Sequence, residues 1–312
     1  MKHTNKLKFF LIYLSFTVAA VILFSVGSAS AAIKPRQSRD ILLEAYQNNR
    51  VKLETSSFGI PLYLDSFERG DRVNVDVYGI FEYSFSSIVN ALKVPSYWCD
   101  IVALHPNVKA CTYGGESATG VLTFYVGKKV YQPPEETRKV LYNYKKVDQQ
   151  KGYLDIILAA ATGPFGTEDH KMRFEAIPLK GGRTFVHVSY AYSDSAALRL
   201  AGKAYFATIG HNKVGFTVIG KDDNGKPVYI GGARGAIERN AVRYYFAIQS
   251  FMNTLHTPEN RLFSSRISNW YDLTSHYRKQ LFDLEKKEYM ESKTKEHENQ
   301  MNLQKLIEKT LQ

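Results

Sequence analysis

Apolar and polar positions alternate most plainly at 72–82, where Val73, Val75, Val77, Gly79 and Phe81 interleave with Asn74, Asp76, Tyr78, Ile80 and Glu82. A period of two belongs to an antiparallel strand with one buried face. The rhythm then lengthens. Ser84 is placed to cap a helix carrying Phe85, Ile88, Val89 and Leu92 on one side, and Pro95 stops it. A second short helix is expected over 98–104. Strand-like segments return at 109–113, 119–126, 140–147, 153–161, 172–179 and 183–192, with Gly181-Gly182 marking a tight hairpin between the last two. The stretch 195–210, SAALRLAGKAYFATIG, has helical composition with Gly202 in its middle, so it reads as a helix inserted among strands. After it, 214–219 and 227–230 flank Asp223-Asn224-Gly225, a second hairpin turn.

The strands end in the helix expected over 231–253. Ile237, Ala241, Tyr244, Ile248 and Phe251 follow steps of four, three, four and three, and Ala247 and Met252 widen that apolar face. Its first half is also charged. Arg234 and Glu238 stand one turn apart, as do Arg239 and Arg243, and Asn240 precedes Tyr244 by one turn. Charges on a buried helix must be paired or put to use, which leaves two readings: a network pinning the helix to its sheet, or a set of ligand contacts. Beyond a break at 254–260, Ile267, Trp270, Thr274, Tyr277, Leu281 and Leu284 keep a helical rhythm. The following EKKEYMESKTKEHENQ is nearly all polar, and is expected as a solvated helix or frayed end rather than a partner-binding coil. At the other end, Ser38 caps the helical run DILLEAY, and 53–67 is extended around Pro61, a strand or a strap.

Residues 1–31 carry a basic front (Lys2, Lys6, Lys8), an apolar middle and the small-residue site Ala29-Ser30-Ala31, the pattern of a secretory signal cleaved after Ala31. Export to a periplasmic or secreted location is expected on that basis. Loss of those lysines lowers the formal charge from +11 to +8. The remaining charge is spread along the chain, which favours contact with an anionic membrane surface over nucleic acid. In an oxidising compartment the two cysteines, Cys99 and Cys111, are expected to pair, with a buried or reactive free thiol as the alternatives.

A strand, a pair of short helices, a run of antiparallel strands and a long terminal helix make up the order of the helix-grip fold. The segments RVNVDVYGIFEYSFSSIVNALKVPSYW, VGFTVIG and GAIERNAVRYYFAIQSFM resemble the opening and closing elements of the START-like lipid-transfer and polyketide-cyclase superfamily, over 72–253. The resemblance implies an α+β fold, a curved antiparallel sheet wrapped around a long C-terminal helix. Residues 32–71 then form an N-terminal helix and strap, and 254–312 a helical extension. It also implies a hydrophobic or amphipathic ligand such as a lipid, held between sheet and helix; the inserted helix near 198–207 departs from the family's pattern and is a candidate lid, since a carrier must open to exchange its cargo.

The residues expected to meet that ligand are Arg234, Glu238, Arg239, Asn240, Arg243 and Tyr244 on the helix, with His187 and Tyr190 on the last long strand. Arginines there favour a phosphate or carboxylate head group. Alternation alone leaves open whether Val186, Val188, Tyr190 and Tyr192 face inward, or Phe185, His187 and Ser189. The turn Gly231–Gly235 either receives an anion at a helix N-terminus or eases a strand-to-helix corner. No triad, phosphate loop or metal spacing is present, and Asp222-Asp223-Asn224-Gly225 lacks the spaced oxygens of a calcium loop, so no catalytic residue, cofactor or metal is assigned. Two rivals remain: a cyclase- or hydratase-type enzyme using His187 or Glu238, and an envelope interaction protein acting through its tail.

Overall fold

The computed structural model describes residues 38–114, 120–208 and 210–311, and the signal segment expected at 1–31 lies outside them. An eight-stranded antiparallel sheet organises the chain, in the order β1-β2-β8-β7-β6-β5-β4-β3. Its strands are β1 (Leu62–Arg69), β2 (Arg72–Phe81), β3 (Val108–Gly114), β4 (Val121–Val126), β5 (Arg138–Gln150), β6 (Tyr153–Thr162), β7 (Thr167–Pro178) and β8 (Thr184–Asp194). Every consecutive pair from β3 to β8 is a hairpin, and β2 returns to pair with β8, Val75 opposite Tyr190. The strap is an edge strand: β1 pairs along its whole length with β2.

Each face of the sheet is covered. The inner face takes α5 (Gly232–Asn253), the helices α2 (Phe85–Leu92) and α3 (Pro95–Val102), and one continuous core that includes Val75, Val77, Phe81, Trp98, Phe124, Ile156, Phe174 and Val188. On the outer face α1 (Ser38–Glu54) packs Leu42 and Leu53 against Tyr153, Ile177 and Phe185. Ser84 caps α2 as its position predicts, accepting from the Ser87 amide. The close approach of α5 to β2 requires Gly79, since a Cβ there would lie 2.1 Å from the Tyr245 hydroxyl. This is the helix-grip arrangement.

Beyond α5, the helix α6 (Glu259–Ser275) sends the Trp270 indole N–H to the Arg243 carbonyl at 3.1 Å, and a short α7 (Arg278–Leu281) follows. The final helix, α8 (Lys286–Leu311), overturns the expectation of a solvated tail. It lies along β3, the free edge of the sheet. Gln300 and Gln304 accept from the Cys111 and Tyr113 amides at 2.8 and 3.0 Å, and Gln304 also donates to the Tyr113 carbonyl. Lys109 meets Glu296 at 2.8 Å with both side chains buried. The polar residues of α8 thus stand in for a neighbouring strand on an otherwise unpaired backbone edge. Cys99 on α3 is bonded to Cys111 on β3, stapling the helix pair to the same edge. The interrupting helix is α4 (Ala196–Ala207), and β9 (Val218–Lys221) with β10 (Pro227–Tyr229) forms a separate two-stranded hairpin before α5.

Candidate ligand site

Register decides which strand residues can meet α5. On β8, Val186, Val188 and Tyr190 join the inner core, with Tyr192 packed against it, while Phe185 belongs to the outer cluster. His187 therefore leaves the expected group. It lies on the outer side of the sheet, between Asp76 and Glu175 at 2.8 Å each, and stacks on Tyr78. Burial lowers its pKa, but bonds to two carboxylates more than offset this and hold it at about 8. Arg173 closes the network by pairing with Asp155 and Glu175.

The charged residues of α5 divide in the same way. Glu238 accepts from the Ser66 hydroxyl, from the Phe216 and Thr217 amides and from the Thr217 hydroxyl, all within 3.0 Å. Arg234 binds the carbonyl and hydroxyl of Ser66. The pair fastens α5 to β1 and to the segment before β9. Nearby, a Cβ on Gly235 would lie 2.7 Å from the Ile230 carbonyl, so the glycine-rich turn serves a tight corner. Arg243 donates to Asp283 at 2.7 Å, and Lys129 pairs with the same carboxylate. Asn240 is committed as well. His105 Nδ1 accepts from the Asn107 amide, which leaves its Nε2–H to donate to Asn240 at 3.3 Å. Burial, then Arg243, pushes the His105 pKa well down, so the ring is neutral where it stacks on Tyr244.

Arg239 is the exception. It is only 7% exposed, and it makes no hydrogen bond or ion pair among the described residues; its Nη1 is buried with no partner. Burial, then the neighbouring Arg243, lowers its pKa to about 10. Lys129 is lowered to about 8 by the same two causes. Arg239 feels Asp283 and Glu238, but Arg243 and Lys129 already occupy the first, and β1 and 216–217 the second. Lys213 also bears on Asp283. This cluster therefore carries more positive charge than its carboxylates balance.

Phenols and imidazoles pack on the strand side of this cluster. Tyr190 meets Tyr244 edge-on, with ring centroids 6.2 Å apart, and Tyr192 feels the charge of Arg239. The His170 tautomer follows from its partners. Thr167 donates to the Pro164 carbonyl, so its oxygen accepts from His170 Nε2–H, and Nδ1 accepts from the Tyr190 hydroxyl at 3.0 Å. Burial lowers His170 to about 4 and raises the hydroxyls of Tyr142, Tyr190 and Tyr244, so all four are neutral donors and acceptors near pH 7. Farther along α5, rings close the space: Tyr245 lies on Phe81 at 5.2 Å and Phe246 on Tyr277 at 5.5 Å. The inner face is a packed core along the second half of α5 and a buried polar cluster along its first, where Tyr190 and Tyr244 each keep 9% of their surface exposed. Depressions lie elsewhere, among them one of about 270 Å³ beside Leu53, Gly59 and Pro61.

Of the residues expected at the site, the structure places Arg239, Arg243, Asn240, Tyr244 and Tyr190 in one buried cluster, and Glu238 and Arg234 fasten α5. Tyr142, His170 and His105 were missed, although Tyr142 and His170 occupy inward positions of alternating strands. Lys129 and Asp283 come from connecting segments with no local signal.

The fold is a helix-grip one, an antiparallel sheet packed on a long helix that precedes the C-terminal helices. No family model matches the chain, and no curated protein matches it. Among solved structures, human StAR-related lipid transfer protein 5 is similar at 10% identity over 70% of this chain and 98% of its own, with a TM-score of 0.34. A StAR-related lipid transfer protein fragment from Xanthomonas axonopodis is 13% identical over 48% of this chain and 88% of its own, TM-score 0.31. Norcoclaurine synthase from Thalictrum flavum is 11% identical over 46% and 87%, TM-score 0.32. With scores this low, none of them bears on what this chain holds.

Proposed function

We propose that this protein binds an amphipathic molecule with an anionic head, a fatty acid or lipid, with the head group at Arg239 and the apolar part on the inner face beside Tyr190 and Tyr244. The observation that carries the reading is the buried Arg239 guanidinium, whose Nη1 has no partner among the described residues. An isolated buried charge is costly, and a carboxylate or phosphate would both neutralise it and satisfy its donors. The phenol of Tyr192, within electrostatic range of Arg239, supplies a further donor beside the head. Helix α4 has no buried residue, and Tyr205 on it is within electrostatic range of Arg239, which supports a cover that opens for exchange.

The reading includes export, on the strength of the signal pattern at 1–31 and the Cys99–Cys111 bond, which suits an oxidising compartment. Native mass spectrometry of gently purified protein tests the binding. An anionic amphiphile is expected to copurify and to appear in negative-ion mode after denaturation. Clean apo protein that also ignores fluorescent fatty acids and phospholipids would remove the reading.

A further inference from the structure

Arg239 is not alone on α5 in having an idle donor. Arg243, 1% exposed, gives one amino group to Asp283 and to the Leu281 carbonyl, yet its Nε–H is buried with no partner among the described residues, as is Nη1 of Arg239 one turn earlier. Burial leaves each donor unsatisfied at a cost. Residues four apart stand one above the other on a helix, so a single guest can serve both.

The charges decide what kind of guest. Arg239, Arg243 and the half-buried Lys129 gather about one carboxylate, Asp283, to which Arg243 and Lys129 are both paired. Three cations against one anion leave a surplus of two. Glu238 does not reduce it, because it shares the Ser66 hydroxyl with Arg234, whose charge offsets its own. Farther out, Glu68 and Asp194 act on Tyr192, Asp194 has Arg199 beside it, and the exposed Lys213 adds to the positive side.

A carboxylate or a phosphodiester carries a single charge and would leave half of that surplus standing. A phosphate monoester loses its second proton at about pH 6, so near neutral pH it carries close to two charges, with three oxygens free to accept. Guanidinium groups suit such a head, since their planar donors reach two of its oxygens at once.

We propose that the head group held by Arg239 is the dianion of a phosphate monoester, bridging Arg239 Nη1 and Arg243 Nε with Lys129 as the third cation. The ligand is then a lipid ending in a terminal phosphate, and not a fatty acid or a phosphodiester lipid. This inference rests on the amphiphile reading of the same cluster and narrows it.

Calorimetric titration of the purified protein near neutral pH tests it with four heads on one twelve-carbon chain. These are dodecyl phosphate, its methyl ester, which keeps the tetrahedral head but only one charge, laurate and dodecanol; inorganic phosphate supplies the head alone. Wild type is expected to bind dodecyl phosphate at least about tenfold more tightly than laurate, the methyl ester or inorganic phosphate, ~1.4 kcal/mol or more. Lys129→Met removes one of the surplus charges, so the advantage of dodecyl phosphate over laurate should fall to about threefold or less; an undiminished advantage would overturn the proposal. The wild-type series decides the matter even where that variant does not fold. Laurate or the methyl ester binding as tightly as dodecyl phosphate, and well above dodecanol, would sink the dianion while leaving the amphiphile reading in place. Inorganic phosphate binding as tightly as dodecyl phosphate would also sink it, by making the cluster a site for free phosphate. If no twelve-carbon compound binds, both readings fall together.

Discussion

Arg239 and Arg243 are one turn apart on the same helix, both buried, and differ in what they meet. Arg243 has Asp283 as a direct partner; Arg239 has none among the described residues. Nothing in the sequence separates them, because the partner arises 40 residues later in a connecting segment. His187 makes the same point from the other side of the sheet. Its strand alternates as read, but alternation fixes two faces without saying which one meets α5. It is a protonated clamp between Asp76 and Glu175, with Tyr78 on its ring and Arg173, Asp155 and Tyr153 completing its surroundings. A folded pKa of about 8, above the ordinary 6.5, means that the clamp's stabilisation is fully present below about pH 6.5 and lost as pH rises through 8. The shift corresponds to roughly 2 kcal/mol. Urea denaturation between pH 6 and 9 should therefore show wild type losing about that much relative to His187→Gln, and parallel pH profiles for the two proteins would contradict the assignment.

At the scale of elements, most of the strands and the gripping helix were legible because each has a buried face to write in apolar residues. The tail was not. Tyr289, Lys293, Glu296, Gln300 and Gln304 recur at helical spacing, but the stripe they form is mostly polar, and polarity on a helix ordinarily means water. Here it means a strand edge. Lys293 donates to the His105 and Val108 carbonyls, and burial lowers its pKa to about 8. The two glutamines pair with β3 as a ninth strand would. Gln300→Ala with Gln304→Ala should leave the Cys111 and Tyr113 amides without partners at a cost of about 1–3 kcal/mol each. Hydrogen exchange is the measurement: protection at those two amides should fall while that of β6 and β7 persists. Unchanged protection at Cys111 and Tyr113 would mean that α8 does not cover the edge as described.

For the molecule as a whole, the sheet is a wall with different contents on its two sides. Outside, α1 covers a fully satisfied ionic network. Inside, α5 meets aromatic rings along its second half and carries a buried cluster of cations and phenols along its first. The order of elements carried the fold, since a succession of antiparallel strands ending in a long amphipathic helix admits few arrangements. It did not carry the size of the interior. The chain's 21 Tyr and 18 Phe serve equally as filling or as lining in the sequence. What distinguishes the cluster on α5 is an uncompensated charge, a property of partners rather than of composition.

The most direct measurement is calorimetric titration of wild type and Arg239→Met with laurate and with dodecanol, which share a chain and differ in the head. Wild type is predicted to bind laurate at least about tenfold more tightly than dodecanol, ~1.4 kcal/mol or more. In Arg239→Met the preference should vanish while thermal stability is kept or raised, because an unpaired buried charge has been removed. Wild type that binds neither compound, or a variant that retains the preference for laurate, would contradict the assignment of Arg239 to an anionic head group.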